Sequence, residues 1–172
     1  MISTKGKFIL ITSIVLAVDL LTKHVISTIP RLQGVALIPN FMHVAFVANS
    51  GIFFRLLDDL NSVWKPYLLA GLTMVPVFLI TIYRVRKPWE RSWPQAALAL
   101  ITGGLLGNFA DRIIHGTIMD FIEVHIANSA YYPTFNIADL AITIGLALFL
   151  AYVLATLRRR TDARSGSWLL WR

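Results

Sequence analysis

Phe8-Ile-Leu-Ile-Thr-Ser-Ile-Val-Leu-Ala-Val-Asp-Leu-Leu-Thr-Lys-His-Val-Ile-Ser-Thr-Ile29 decides the class of fold. At 1.5 Å rise per residue, a helix needs roughly 20 mostly apolar residues to cross a bilayer, and this run meets that length. Three more runs of similar character follow, at about Trp64 to Tyr83, Pro94 to Ile114 and Phe135 to Leu157. The expected fold class is therefore mostly α and integral to a membrane: a four-transmembrane-helix bundle formed by residues 1–172 as a single domain. The first run is too long for the apolar part of a signal peptide, and Pro30-Arg31 follows it in place of a small-residue cleavage site, so it reads as a retained helix.

The composition agrees. The chain is 56% hydrophobic and 15% charged, against about 45–50% and about 25% in a soluble domain. It has no cysteine, which removes thiolate metal sites, disulfides and cysteine nucleophiles from consideration. The net charge of +7 is explained by where the basic residues fall. Lys5 and Lys7 precede the first run, Arg84, Arg86, Lys87 and Arg91 join the second to the third, and Arg158, Arg159, Arg160, Arg164 and Arg172 follow the fourth; the opposite connections hold Arg31, Arg55 and Lys65. This asymmetry places both termini in the cytoplasm and the segments 30–63 and 115–134 outside. Topology and contact with membrane lipids account for the charge, and no nucleic-acid partner is expected.

The segment 31–63 is too apolar for a plain loop. Val35-Ala-Leu-Ile38 and Met42-His-Val-Ala-Phe-Val47 are β-prone and bounded by Gly34, Pro39-Asn40 and Asn49-Ser-Gly51, which predicts a small extracytoplasmic β-sheet or hairpin on the membrane surface. Trp64 and Tyr67 fit one aromatic belt, Tyr83, Trp89 and Trp93 the other. Pro76 falls inside the second helix. Residues 158–172 form a cytoplasmic tail whose Ser167-Trp-Leu-Leu-Trp-Arg172 end is either an interfacial anchor or without fixed structure.

Ionisable residues in a bilayer cost at least ~2.5–3.5 kcal/mol each at its centre and so need a partner or a use. Asp19 and Lys23, four apart, share a helix face and can pair. Asn108, Asp111 and Arg112 point broadly to one side of the third helix, after Gly103, Gly104 and Gly107, whose spacing admits a close helix neighbour. Asp120 lies in the stretch Thr117-Ile-Met-Asp-Phe-Ile122 between helices; Asn136 and Asp139 open the fourth helix after Pro133. Each has an ordinary explanation. Asn136 and Asp139 suit a helix cap with an acid at its third position, Asp19–Lys23 a structural ion pair, Asn108 a helix–helix bond, Asp120 a solvated carboxylate. The topology nevertheless brings Asn108, Asp111, Arg112, Asp120, Asn136 and Asp139 to one level near the outer surface, and packing alone does not require such a set.

Two carboxylates that share a poorly screened site cannot easily both ionise; one keeps a proton while the other acts as a base. Such a pair can take a proton from water, polarise an amide carbonyl and protonate the leaving nitrogen. Asp120 and Asp139 are the natural pair. A metal site is the chemical rival, with His115 and His125 flanking Asp120 and Glu123, but no H-E-x-x-H or comparable spacing occurs, and neither a G-x-S-x-G element nor a Gly-rich phosphate loop is present. His24 and His43 fit no pattern.

Four blocks carry a family resemblance: Asp19-Leu-Leu-Thr-Lys23, Gly103-Gly-Leu-Leu-Gly-Asn-Phe-Ala-Asp-Arg112, Gly116-Thr-Ile-Met-Asp-Phe121 and Phe135-Asn-Ile-Ala-Asp139. In these blocks, and in length and helix order up to about residue 157, the chain resembles the lipoprotein signal peptidases (signal peptidase II). The resemblance implies an aspartic endopeptidase of the bacterial cytoplasmic membrane that cuts prolipoproteins just before a diacylglyceryl-modified cysteine. It implies Asp120 and Asp139 as the catalytic dyad and Asn108, Asp111, Arg112 and Asn136 as supporting residues. Asp19 and Lys23 would belong to a further motif, and Asn49 and Gly51 would meet substrate. No metal or organic cofactor is implied; the partners implied are the diacylglyceryl prolipoprotein, membrane lipids and globomycin-type inhibitors. The chain departs from the family in Asn49-Ser-Gly-Ile-Phe-Phe-Arg55, where Ile52, Phe53 and Arg55 replace smaller residues, and at Leu140, where serine is usual. Those departures bear on substrate fit and keep open a paralogue that binds precursors without cutting them or with altered choice. A transporter subunit relaying protons through its buried acids is the alternative from another class, although the chain has no inverted repeat.

Overall fold

The computed structural model describes residues 3–50, 64–86, 92–126 and 132–167. Four helices are long and apolar enough to cross a membrane: α1 (Thr4–Thr28), α2 (Lys65–Arg86), α3 (Ser92–His115) and α4 (Ile137–Ser167). Ser3 caps α1, its Oγ accepting from the Gly6 N–H at 3.1 Å. The helix stops before Pro30, a residue type that disfavours helical geometry in the one preceding it. Pro76 sits within α2, where it lacks the N–H that would bond the Leu72 carbonyl. Gly116, at φ 75°, closes α3, its N–H returning to the Arg112 carbonyl at 3.1 Å in a left-handed cap.

α4 differs from the expected 135–157. It begins at Ile137 because Thr134 and Phe135 are committed to a strand, and it continues to Ser167, into the segment assigned to a tail. Arginine is a good helix former, so the backbone has no reason to stop where the apolar run stops. Residues 168–172 lie outside the described residues.

α3 is the centre of the bundle and packs against the other three helices. Ala97, Leu98, Ala99 and Ile101 on it are buried, whereas α1, α2 and α4 leave large apolar side chains such as Ile14, Phe78 and Leu150 exposed, as a lipid-facing surface requires. Close approach is achieved through glycine. A Cβ on Gly103 would lie 2.7 Å from the Val15 Cβ of α1, and one on Gly104 would overlap the Ala138 carbonyl of α4. A Cβ on Gly107 would overlap the Asp19 carboxylate.

The strands form a four-stranded antiparallel sheet in the order β1 (Ala36–Ile38), β2 (Met42–Asn49), β3 (Ile118–Val124), β4 (Thr134–Phe135). The hairpin expected in 31–63 is present; Asn40, at φ 57°, makes its turn. The other two strands, β3 and β4, come from the stretch between α3 and α4, whose mixed polarity does not predict them. Its alternation is masked because β3 is buried on both faces near its start, as Ile118, Asp120 and Phe121 show. Ile26 of α1, Val44 of β2 and Phe121 of β3 pack together and join sheet to bundle.

One irregularity in the sheet matters for the site. Met42, His43 and Val44 pair with Val124, Glu123 and Ile122, but after a bulge Val47 pairs with Asp120 and Asn49 with Ile118. The extra residue changes the side of the sheet that the end of β2 presents. Extended without a break, the first register would set Phe46 opposite Asp120 and turn Asn49 to the other face. With the bulge, Phe46 is 49% exposed and Asn49 shares a face with Asp120.

Candidate active site

Asp120 lies on β3, beside β2 and β4, and not in a loop. It is 1% exposed. Its Oδ2 accepts from Asn49 Nδ2 at 3.1 Å and from the Thr134 hydroxyl at 3.3 Å; its Oδ1 accepts from Asn136 Nδ2 at 2.9 Å. Burial pushes the carboxyl from an ordinary 3.8 up to about 6; the charge of Asp139 pushes the same way, and the bonds from Asn49, Thr134 and Asn136 oppose it. The balance leaves a carboxyl able to keep a proton up to about pH 6.

Asp139, on the first turn of α4, is half-buried. Its Oδ1 accepts from Asn108 Nδ2 at 2.8 Å, and its Oδ2 accepts from the backbone N–H of Asn136 at 3.3 Å. Asn136 returns the bond: its Oδ1 accepts from the Asp139 N–H at 2.9 Å. This reciprocal arrangement is a capping box, with Asp at the third helical position where Glu or Gln is commoner. The cap expected from sequence is present, and it also has a second use. The acceptor role fixes the amide's orientation, so Nδ2 must face Asp120 Oδ1, the Met119 carbonyl at 3.2 Å and Asn108 Oδ1 at 3.3 Å. Asn136, fully buried, therefore binds both candidate acids.

Behind them is a buried ionic cluster. Lys23 Nζ reaches Asp19 Oδ2 at 2.7 Å, Asp111 Oδ2 at 2.8 Å and Asn108 Oδ1 at 3.3 Å. Asp19 Oδ1 accepts from the Ala138 N–H at 2.9 Å, so the expected pair also ties α1 to the start of α4. Asp111 Oδ2 further accepts from the Met119 N–H at 3.1 Å, which fixes the beginning of β3 next to Asp120. Asp111 thus bonds to Lys23 and β3, and Arg112 turns another way. Arg112, 8% exposed, donates from Nη1 to the Thr73 hydroxyl of α2 at 2.7 Å, and its charge acts on Asp139, then Asp111, then Asp120.

All eight described residues singled out from sequence in and around the site, together with Asn49, meet at the sheet end of the bundle. Gly51 and the Ile52–Arg55 departures lie outside the described residues. Leu140 is 43% exposed; its N–H bonds the Asn136 carbonyl at 3.2 Å, and its side chain is apolar. Two contributors escaped sequence reasoning. Thr73 sits in an apolar helix with no motif around it, and Thr134 looked like part of a connection; only its place opposite Glu123 in the sheet brings it to Asp120. The histidines stand apart. His115 is 64% exposed at its side chain and 3.7 Å from Asp111. His125 stacks on Tyr132, with ring centroids 4.0 Å apart, and contacts Glu123 at 2.5 Å.

Fold and site together define a multi-pass membrane protein whose polar groups converge on two hydrogen-bonded carboxylates at one end of the bundle. The family model for signal peptidase (SPase) II matches residues 11–155, and the chain belongs to that peptidase family. It is 30% identical over 155 residues to a lipoprotein signal peptidase of Francisella tularensis subsp. novicida (strain U112), covering 90% of this chain and 96% of that one. It is 38% identical over 147 residues to one of Yersinia enterocolitica serotype O:8 / biotype 1B, with 85% of each covered. Among solved structures, a bacterial membrane enzyme determined by the in meso method at 1.9 Å resolution superposes with a TM-score of 0.75 and 29% identity. That match covers 87% of this chain and 93% of the other.

Proposed function

We propose that this chain is an aspartic endopeptidase that removes signal peptides from diacylglyceryl-modified bacterial prolipoproteins, cutting just before the lipid-bearing cysteine. The observation that carries it is the bridging of Asp120 and Asp139 by Asn136. The two acids have opposite environments. Asp120 is buried on the sheet and keeps its proton up to about pH 6; Asp139 is half-buried, with the Asn108 amide on Oδ1 and the Asn136 N–H on Oδ2.

Asp139 accordingly takes a proton from water as the water oxygen attacks the scissile carbonyl carbon. Asp120 donates its proton to the carbonyl oxygen. On collapse of the tetrahedral intermediate, the C–N bond breaks and the proton held by Asp139 goes to the leaving nitrogen, while the hydroxyl proton returns to Asp120. The Lys/Arg distribution supports cytoplasmic termini and an outward-facing sheet end. There, water has access, while the exposed apolar faces of α1, α2 and α4 contact the acyl chains and signal helix.

The test is cleavage of a diacylglyceryl prolipoprotein by the purified, reconstituted chain, followed as a gel mobility shift. Asp120→Asn and Asp139→Asn should each lower the rate by about 10²–10⁴-fold or more with folding unchanged, the range for removing a general acid or base. Full activity in either variant would remove the dyad, and no cleavage by the native chain would remove the activity.

A further inference from the structure

Thr73 is a hydroxyl in the middle of an apolar helix, and none of the motifs above includes it. Its Oγ1 donates to the Leu69 carbonyl of its own helix at 2.8 Å. A hydroxyl has one proton, so toward Arg112 the same oxygen can only accept, and a guanidinium can only donate. The 2.7 Å contact with Arg112 Nη1 is therefore matched in polarity and fixed in direction. Leu69 and Ala70, one turn earlier, are 2% and 1% exposed and seat this part of α2 in the bundle. Arg112 is in the last turns of α3, near-buried, with Asp139 of α4, Asp111 of its own helix and Asp120 of β3 as the carboxylates that feel its charge.

We propose that Thr73 is a positioning residue of the active site: its hydroxyl oxygen holds the Arg112 guanidinium in the orientation that keeps its charge on the Asp139–Asp120 pair. This rests on the dyad reading above. A planar fork is useful only when its plane is set, and an anchored Nη1 sets it. Without the anchor Arg112 keeps its charge but loses the bond that fixes Nη1, and with it part of the alignment of that charge toward Asp139.

Two substitutions separate the hydroxyl from the shape. Thr73→Val keeps the volume and removes the acceptor; Thr73→Ser keeps the acceptor and removes a methyl. The expected result for Thr73→Val is a fall in kcat of about tenfold, the scale of one hydrogen bond to a charged group, with KM little changed. Thr73→Ser should stay within about twofold of the native chain. In an Arg112→Lys background, Thr73→Val should have no further effect, since the group it positions is gone. Native kcat in Thr73→Val would overturn the proposal. So would an equal loss in Thr73→Ser, which would mark a packing role, or a full additional loss on top of Arg112→Lys. If Thr73→Val unfolds early in detergent, Thr73→Ala replaces it as the variant without the acceptor: loss of kcat in Thr73→Ala with retention in Thr73→Ser supports the proposal, and equal kcat in the two overturns it. Cleavage by the native chain that is indifferent to Thr73 defeats this inference alone; no cleavage by the native chain defeats the functional reading beneath it.

Discussion

Asn136 Nδ2 donates to Asp120 Oδ1 at 2.9 Å, so the residue that caps a helix also holds a carboxylate on a strand. Folding the start of α4 and building the site are consequently one event. Asn136→Ala removes the cap and the clamp together. A lost cap costs about 0.5–2 kcal/mol, so unfolding in detergent should occur at a measurably lower temperature. Cleavage should fall by much more than the stability loss explains, by at least about tenfold, because the Asp120 carboxyl loses a partner and the Asp139 N–H loses the cap that places this residue. A drop in melting temperature with native turnover would separate the two roles.

Asp120 makes stability pH-dependent in a predictable sense. Its pKa is raised on folding, so its favourable contribution is complete below its ordinary 3.8 and is lost as pH rises through about 6. The difference corresponds to about 3 kcal/mol. Thermal unfolding of the native chain should weaken between pH 4 and pH 7, and Asp120→Asn should flatten that part of the curve. An unchanged slope in the variant would show that Asp120 does not titrate there.

Lys23 neutralises a region that contains Asp19 and Asp111, both nearly inaccessible to solvent. Breaking a buried pair by removing one partner costs about 3–5 kcal/mol, because the other charge is left without compensation. Lys23→Met should therefore fold poorly, and adding Asp19→Asn should recover part of the loss. Thermal unfolding of the single and double variants measures this; equal stability of Lys23→Met and the native chain would show the cluster to be dispensable.

Helix contact at glycine gives a further comparison. Gly104→Ala drives a methyl into the Ala138 carbonyl of α4, with a cost of about 1–3 kcal/mol for forced overpacking. Gly71→Ala on α2 meets nothing within 4 Å and should be neutral or stabilising by up to about 1 kcal/mol. Purified yields and melting temperatures of the two variants should diverge accordingly.

Much of this was legible in the chain itself. The four helices followed from length and hydropathy, and the capping box at Asn136 and Asp139 from a three-residue spacing. The Asp19–Lys23 pair followed from a four-residue one. These are local properties, set by helix geometry within a few residues. The site residues were named because polar groups in apolar runs are costly and because their motifs resemble a family. Their bonds were not legible: Asp111 serves Lys23 and the start of β3, and Arg112 goes to Thr73. Spacing on one helix gives a face, but not the partner that meets it.

The sequence by itself determined a four-helix membrane chain with acids gathered toward one end, because burying apolar length and avoiding isolated charge are constraints felt residue by residue. Only the tertiary structure decided that Asp120 sits on a strand, since β3 is completed by β2 from seventy residues earlier. It also decided that Asn49 reaches Asp120, since one bulged residue between Val44 and Val47 turns the end of β2 to the correct face. A two-residue side-chain period makes register all-or-none, and register is a property of two strands together.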